Sequence, residues 1–343
     1  MMKYVTTAAF AAAAVMTVAA FTAPAQAADK KLVIAVVPKN LNNPFFDQAK
    51  IGCEKAVAEI GADKVECYFT GPGEHGGGDE QAQIVADLIA KGVDGIGVSA
   101  ANAAAIAAVL PAAKEKGIPV ITWDSDLLPE NKDLRVAYIG THNYDIGVGL
   151  AKVIQAKKPN GGKICIQSGG AAAANHNERM QGIRDTLAGV QSKESPGDRL
   201  TGQNGWTEVD GCPLYTNDDF PLSVQQLEDT LNKYPDLDAF TATGGFAQFL
   251  PDANKAALEK HKGKIADGSL VLAVADTLQM QLDQLKEGYS TGNVGQRPME
   301  MGYKVIYAIY DMKNGKPAPA DPTYTGLDTC TKDNADTCTK GGN

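Results

Sequence analysis

The sequence has too little positive charge for a nucleic-acid-binding protein. It contains 32 lysine and arginine residues against 41 aspartate and glutamate residues, which gives a net charge of -9 and a pI near 5.0. A protein that binds nucleic acid normally carries a basic patch that pairs with phosphate groups. We therefore expect no nucleic-acid partner.

Motifs for phosphate and zinc binding are also missing. The glycine-rich stretch at residues 71–81, GPGEHGGGDEQ, lacks the Gly-Lys-Ser/Thr ending of a phosphate loop, and its acidic residues would repel phosphate. We interpret it as an exposed loop with a solvated His75. No Cys-x-x-Cys pair occurs and the four histidines are scattered, which disfavours zinc. The sequence predicts no cofactor, no metal and no catalytic residue.

Long apolar runs are absent except at the N-terminus. Residues 1–27 have a lysine near the start, an apolar run and Ala-Gln-Ala at the end, which is typical of a cleaved secretory signal peptide. An uncleaved membrane anchor is the alternative, but the run is short for a bilayer and no basic flank follows it. We expect export to the periplasm and a soluble mature chain of about 315 residues, enough for two domains.

The six cysteines all follow the predicted cleavage site, as expected in an oxidising compartment. Cys330 and Cys338 enclose a short polar loop that a disulfide would hold in place. The other four cysteines allow several pairings by spacing alone. The pairs that we expect, because each would link neighbouring elements of one domain, are Cys53 with Cys67 and Cys165 with Cys212.

Short apolar runs alternate with amphipathic stretches. KLVIAVVP is followed by the helical pattern FFDQAKIGCEKAVAEIG, and the same order continues through VECYF, VDGIGVSA and IPVITWD. It restarts at GGKICIQSG and continues to SLVLAVAD. Such runs are typical of parallel strands covered by helices on both faces. We predict an α/β fold with two similar domains, each a parallel sheet between helices.

Polar residues follow these strands at their carboxyl ends, where open parallel sheets bind ligands. Asp124 follows IPVITW, and Asp276 follows SLVLAVA. After the first strand, LNNPFF places Asn43 beside Phe45 and Phe46. A sugar has C–H groups on its faces and hydroxyls around its edge, so aromatic rings with amide and carboxylate groups complement it. Either phenylalanine can instead be a core residue that caps the first helix.

Four motifs in this order, LNNPFF, IPVITWDSD, NERMQG and VGQRP, resemble those of type I periplasmic sugar-binding proteins of ABC importers, and within them the ribose-binding branch. The resemblance covers nearly the whole mature chain. It implies that Asn43 bonds a hydroxyl and that two phenylalanines pack on the sugar. Asp124 would accept from two hydroxyls, and Arg179 would donate to the ring oxygen or a hydroxyl. The ligand-binding residues expected are Lys39, Asn43, Phe45, Phe46, Asp124, Asp126, Arg179, Asp276 and Gln296.

The chain departs from the ribose-binding branch at three places. Gly244 and Gly245 stand where that branch has Asn-Asp, and Ser125 stands where it has an arginine. Its third aromatic residue has no secure counterpart between Tyr215 and Phe220.

A second branch, the rhamnose-type and autoinducer-2-binding proteins, shares Lys39 and TWDSDLLPE with this chain. Asn175 and His176 replace the acidic residue and glutamine of that branch. We therefore expect a neutral monosaccharide, sugar alcohol or cyclitol as ligand, with Lys39 and Asp126 adding contacts that the ribose branch lacks.

The resemblance also implies that the chain crosses between the domains three times, near Thr141, Gln296 and Pro322. The N-terminal lobe would comprise residues 28–141 plus 297–322. The C-terminal lobe and the disulfide-closed tail would comprise residues 142–296 plus 323–343.

The function expected is that of a monomeric periplasmic solute-binding protein that closes on a sugar or polyol and delivers it to the membrane permease of an ABC importer. One alternative is an exported glycoside hydrolase that uses a pair of carboxylates from Asp124, Asp126 and Asp276. Another is a sugar sensor that presents its ligand to a chemoreceptor. A transcription regulator of related fold would need an N-terminal helix-turn-helix, where this chain has the signal-peptide pattern.

Overall fold

The computed structural model describes residues 1–4 and 30–340, so most of the predicted signal peptide lies outside the described residues. The chain divides into two compact units, Met1–Lys30 and Lys31–Asn343, and the sheets and helices of the described residues belong to the second. Within the described residues, no helix has the length and apolar character needed to cross a membrane.

The strands are short and alternate with helices along most of the chain. In chain order they are β1 (Leu32–Val37), β2 (Val65–Phe69), β3 (Gly95–Val98), β4 (Val120–Trp123), β5 (Ala137–Gly140), β6 (Gly162–Ser168), β7 (Trp206–Glu208), β8 (Leu214–Tyr215), β9 (Ala239–Ala242), β10 (Val271–Ala275), β11 (Gly292–Gly295), β12 (Thr323–Tyr324) and β13 (Asp328–Thr331).

The helices connect these strands. In chain order they are α1 (Pro44–Ile60), α2 (Asp79–Lys91), α3 (Ala103–Val109), α4 (Pro111–Glu115), α5 (Asn143–Lys157), α6 (Ala174–Ala188), α7 (Phe220–Lys233), α8 (Pro251–Leu258), α9 (Lys262–Asp267), α10 (Gln279–Lys286) and α11 (Pro298–Lys313).

The strands form two sheets, which define two lobes. The first sheet has the order β12-β5-β4-β3-β1-β2, and all its strand pairs are parallel. The second has the order β13-β11-β10-β9-β6-β7, with β8 also paired to β6. Its pairs are parallel except β11 with β13. The predicted α/β fold is confirmed, but the polar composition of the tail gave no sign of this antiparallel edge strand.

Alternate residues of the central strands pack on opposite faces of each sheet. In β1, Ile34 and Val36 pack with α1 and α11, whereas Ala35 and Val37 pack with α2 and α3. The second sheet repeats this arrangement, since Cys165 of β6 packs with α7 and α8 while its neighbours pack with α5 and α6. Burial on both faces explains why these strands are continuously apolar.

Each lobe contains one pair of helices in close backbone contact at glycines. A Cβ on Gly52 of α1 would lie 1.9 Å from the carbonyl oxygen of Met299, and a Cβ on Gly302 of α11 would lie 1.9 Å from that of Ala49. In the second lobe, a Cβ on Gly147 of α5 would lie 2.0 Å from the carbonyl oxygen of Arg179. Glycine therefore sets the spacing of these helices.

Three disulfides lie within single lobes, and all of the expected pairings are confirmed. They are Cys53–Cys67, Cys165–Cys212 and Cys330–Cys338. The first links α1 to β2, and the second links β6 to the segment before β8.

The third crossing between the sheets lies slightly later than the predicted boundary at Pro322. Thr323 and Tyr324 of β12 pair with β5 in the first sheet, and the chain enters the second sheet only at Asp328. Thr141 Oγ1 lies 3.2 Å from Thr325 Oγ1, so two of the crossing segments are hydrogen-bonded side by side.

The glycine contact between α1 and α11 predicts that Gly302→Ala lowers the thermal midpoint of unfolding. The new methyl group would meet backbone rather than a flexible side chain, and such overpacking costs about 1–3 kcal/mol. Gly263→Ala is the matched control, because Gly263 is in α9 with no atom near its Cβ position. Alanine should stabilise that helix by up to about 1 kcal/mol. A Gly302→Ala protein as stable as the native chain would contradict the close packing.

Candidate functional site

Asp124 and Asp276 occupy equivalent positions at the carboxyl ends of the two sheets. Asp124 follows β4 with φ 57°, and Asp276 follows β10 with φ 72°. This left-handed conformation is uncommon for residues with a side chain, although aspartate tolerates it better than most, and it is often found at functional sites. At both aspartates this conformation turns the backbone away from the strand direction. Both turns lie where the two lobes face each other.

The carboxylate of Asp124 is 2% exposed and is contacted from both lobes. Ser99 Oγ, from the first lobe, donates to its Oδ2 at 2.8 Å, and Lys39 Nζ lies 3.7 Å from the same oxygen. From α6 of the second lobe, Arg179 Nη2 donates to Oδ1 at 3.2 Å and Asn175 Nδ2 at 3.3 Å. Asp124 therefore joins the lobes.

Arg179 is held in one orientation by three acceptors. Its Nε donates to Asn143 Oδ1 at 2.9 Å, and its Nη1 donates to the carbonyl oxygen of Thr243 at 2.9 Å. Its Nη2 donates to Asp124. The guanidinium is 2% exposed, so the helix-borne arginine is buried at the site rather than solvated.

Lys39 is buried beside this pair. Its ammonium group donates to Asn175 Oδ1 at 2.8 Å, and the residue is 1% exposed. Burial lowers the pKa of Lys39, and the carboxylates of Asp124 and Asp218 oppose that shift. The lysine therefore lies within the site and does not extend to solvent.

Asp276 is held by an amide and by a backbone N–H. Gln296 Nε2 donates to its Oδ1 at 2.9 Å, and Gly245 N donates to its Oδ2 at 3.1 Å. Burial raises the pKa of Asp276, while Arg179 opposes the shift.

Aromatic rings from both lobes form the apolar wall of the site. Phe45 and Phe46 are edge-to-face with centroids 5.3 Å apart, and Phe46 packs in the same way on Trp123 at 5.6 Å. Both phenylalanines also belong to the core of the first lobe, so they serve packing and site together. Phe246 and Phe249 line the site from the second lobe.

Gly244 and Gly245 leave room for these second-lobe rings. A Cβ on Gly244 would lie 2.5 Å from the ring of Phe246, and a Cβ on Gly245 would lie 2.3 Å from the ring of Phe249. Larger side chains at 244 and 245, such as the Asn-Asp of the ribose-binding branch, would therefore collide with these two rings as they are placed here.

His176 is a neutral member of the site. Its Nδ1 lies 2.9 Å from Thr243 Oγ1. Burial holds the pKa of His176 well below its usual range, and the charges of Lys39 and Arg179 act in the same direction.

These side chains line a narrow cavity of about 20 Å³, enough for roughly one water molecule, so the lobes must move apart before a polyol can enter. It brings together every residue of the predicted set except Asp126. The lining residues are Lys39, Asn43, Phe45, Phe46, Asp124, Asn175, His176, Arg179, Asp218, Gly244, Gly245, Phe246, Phe249, Asp276 and Gln296.

Asp126 lies outside this cavity, contrary to the expectation that it contacts the ligand. Arg135 Nε and Nη2 donate to its two carboxylate oxygens at 2.7 Å each. Asp126 lines a separate groove that also contains Tyr138 and Tyr324. Its bidentate ion pair with Arg135, a residue that no motif singled out, holds the carboxylate in that groove.

His75 is also not the solvated residue that the glycine-rich loop suggested, because it is only 3% exposed. It packs at the edge of the second lobe, where a Cβ on Gly170 would lie 2.9 Å from the His75 ring.

Asp218 is a site residue that sequence reasoning missed. It lies between Tyr215, which is exposed, and Phe220, which packs on Phe249 in the core, and neither of those aromatic residues lines the cavity. The available signal was the run Asn217-Asp218, which suits a turn of positive φ, and both residues have it at 47° and 57°. The described part of the chain shows no cluster of three or more His, Cys, Asp or Glu residues that would suit a metal ion.

The chain is similar to known proteins over most of its length. Residues 34–317 match the periplasmic binding protein domain. The ribose import binding protein of Bacillus subtilis is 25% identical over 292 residues, which cover 84% of this chain and 83% of that protein. The D-ribose/D-allose-binding protein of Pseudomonas aeruginosa is 29% identical over 161 residues, so the chain spans about half the length of that relative (49%) and the match covers 45% of this chain.

Solved structures agree with the fold. A solute-binding protein of an ABC transporter from Burkholderia graminis, in complex with D-arabinose, has a TM-score of 0.75 and 29% identity, over 90% of this chain and 98% of that one. A solute-binding protein from Agrobacterium vitis, with bound D-fucose, has a TM-score of 0.78 and 23% identity, and the match covers 89% of this chain and 97% of that one. Because the periplasmic binding protein domain matches more than half of this chain, the chain belongs to the periplasmic binding proteins.

Proposed function

We propose that this protein is the solute-binding component of an ABC importer, which binds a monosaccharide, sugar alcohol or cyclitol between its lobes and delivers it to a membrane permease. The observation that supports this most directly is the cavity around Asp124 and Arg179. It combines fixed charged hydrogen-bonding groups with aromatic rings from both lobes. Polyols need both kinds of surface, because their edges carry hydroxyls and their faces carry C–H groups.

Contacts from both lobes to one ligand would stabilise the closed arrangement. Asp124 belongs to the first lobe and Arg179 to the second, and a ligand hydrogen-bonded to both is fully bound only when the lobes meet. A ligand shifts such an equilibrium by its preference for one state over the other. We propose that the permease recognises this closed form.

The names of two relatives agree with a sugar ligand. The Bacillus protein is named for ribose, and the Burkholderia protein was solved with D-arabinose. The signal-peptide pattern and three disulfides support action in the periplasm.

A glycoside hydrolase finds less support, because Asp126 is outside the cavity and Asp124 is held in an ion pair with Arg179. We expect no release of nitrophenol from nitrophenyl glycosides by the purified protein. Steady release that disappears in Asp124→Asn would favour the hydrolase instead.

Asp124→Asn should remove about half or more of the stabilisation that a bound polyol gives. In a panel of aldoses, ketoses, sugar alcohols and inositols, a ligand at 100 times its dissociation constant adds about 2.7 kcal/mol to the free energy of unfolding of the native chain. Each hydrogen bond to the charged carboxylate contributes roughly 1.5–3 kcal/mol, so the amide should weaken binding at least tenfold. Thermal shifts with and without each polyol measure the difference.

Asp126→Asn is the matched control, two residues away and engaged by Arg135 outside the cavity. It should lower the stability of the free protein but keep the ligand-induced shift. If Asp126→Asn loses the shift and Asp124→Asn keeps it, the ligand is bound at the Asp126 groove and the proposed site is wrong.

Arg179→Lys should weaken binding of the same polyol roughly tenfold or more, although the charge is kept. A lysine cannot reproduce the planar guanidinium that reaches three acceptors at once. Calorimetric titration measures the affinity. Arg199→Lys is the control, because Arg199 also donates to several carbonyl oxygens in the second lobe but does not line the cavity. Equal affinities of the native and Arg179→Lys proteins would contradict a role for Arg179 in ligand binding.

A further inference from the structure

Among the described residues that line the cavity, Asp218 is the carboxylate that has an oxygen without a hydrogen-bond partner. It is 6% exposed, and across the described residues no Lys, Arg or His nitrogen lies within 4.0 Å of its oxygens. Its Oδ2 accepts from Asn40 Nδ2 and Asn43 Nδ2 at 3.3 Å each, and its Oδ1 has no hydrogen-bond partner.

The other two carboxylates of the cavity differ from it. Asp124 is paired with Arg179 and approached by Lys39, and both oxygens of Asp276 accept a hydrogen bond from the protein. A buried carboxylate without a directly paired cation is costly, and Lys39 attracts Asp218 only from beyond salt-bridge distance. Asp218 therefore has one oxygen suited to a positively charged partner.

Counted by formal charge, the side chains that line the cavity include one more negative than positive residue. Its lining contains two cationic residues, Lys39 and Arg179, against the three aspartates, and 2 minus 3 is -1. His176 is neutral because its pKa lies well below its usual range. A ligand with one positive charge would bring the formal charge of the occupied cavity to zero, whereas a neutral sugar would leave one negative charge uncompensated.

Further buried polar atoms without a partner surround Asp218. Asn40 Oδ1 and both ring nitrogens of His75 are buried without a partner. Burial lowers the pKa of His75, opposed by Asp218 and reinforced by Lys39, so His75 does not supply the missing charge at neutral pH. In the neutral ring one nitrogen accepts a hydrogen bond and the other donates one. A group with several N–H donors fits this end of the cavity.

Space for such a group continues beyond the cavity. Asp218 lines both the cavity and a second groove at its edge, which is also bounded by Asn42, Glu74, His75 and Asn217. Glu74 adds a further carboxylate to that groove.

We propose that the ligand carries a protonated amino group that pairs with Asp218, so that the protein binds an amino sugar or an amino-substituted polyol. The inference rests on the proposed function and specifies its substrate class. Asp124, Arg179 and the aromatic rings bind the polyol portion, and the ammonium group donates to Asp218 Oδ1 and the neighbouring acceptors.

A purely structural role is the competing explanation, in which Asp218 holds the lobes together through Asn40 and Asn43. An amide oxygen at position 218 would accept those same two hydrogen bonds. Asp218→Asn therefore preserves the contact between the lobes and removes only the charge, which separates the two explanations.

The test is calorimetric titration of the intact protein with matched pairs, such as D-glucose with D-glucosamine, D-galactose with D-galactosamine, and D-glucose with its 6-amino-6-deoxy analogue. The pH is kept below the pKa of the amino groups. At least one amino sugar should bind roughly tenfold tighter than its hydroxyl parent, as expected for a charged hydrogen bond in a buried site. Asp218→Asn should lose this advantage, whereas Asp229→Asn, which removes an exposed carboxylate from α7, should keep it.

A second measurement needs no variant and covers the case in which Asp218→Asn fails to fold. In the native protein, the advantage of the amino sugar should shrink as the pH is raised above the pKa of its amino group. The inference is overturned if every matched pair binds with equal affinity. It is also overturned if the advantage of the amino sugar survives both Asp218→Asn and the rise in pH. In either case, binding of neutral sugars would leave the proposed function intact. Failure of all these compounds and of the wider polyol panel to bind rejects both.

Discussion

The buried ion pair between Asp124 and Arg179 is the constraint on which the site depends. Charges taken out of water are stable only when the remaining hydrogen-bonding positions of both groups are satisfied. Ser99 and Asn175 supply those positions for the carboxylate, and Asn143 and the Thr243 carbonyl supply them for the guanidinium. Because these partners come from both lobes, the two sheets must be correctly placed before the pair is satisfied.

The two lobes solve the same physical problems in the same way. Each ends a central strand with an aspartate of positive φ, Asp124 or Asp276, so that a carboxylate stands outside the carboxyl end of the sheet. Each also brings two helices together at glycines, which keeps α1 on α11 and α5 on α6 at backbone contact distance. The parallel sheet explains this likeness, since its strand ends are where polar groups can face a cleft.

Local patterns in the sequence were enough to predict the strands and two of the site carboxylates. Apolar runs at regular spacing identified the parallel strands, and carboxylates directly after strands identified Asp124 and Asp276. Contacts between distant residues were beyond that reasoning. Asp126 looked equivalent to Asp124, but Arg135 binds it outside the cavity. His75 looked solvated because its loop is rich in glycine, yet the second lobe covers it. In both cases the deciding partner is set by tertiary packing.

The second lobe carries most of what distinguishes this site. The first-lobe residues Asn43, Phe45, Phe46 and Asp124 all line the cavity, and the resemblance to sugar-binding proteins predicts that they contact the ligand. In the second lobe, the glycines at 244 and 245 admit Phe246 and Phe249, and a carboxylate lies between the two aromatic residues considered for the third ring. The change at 244 and 245 makes one part of the wall apolar, and Asp218 makes another part charged. Under the proposed function, a ligand that suits both needs an uncovered C–H face at one end and a strong hydrogen-bond donor at the other, so the second lobe would select among polyols that the first lobe would accept alike.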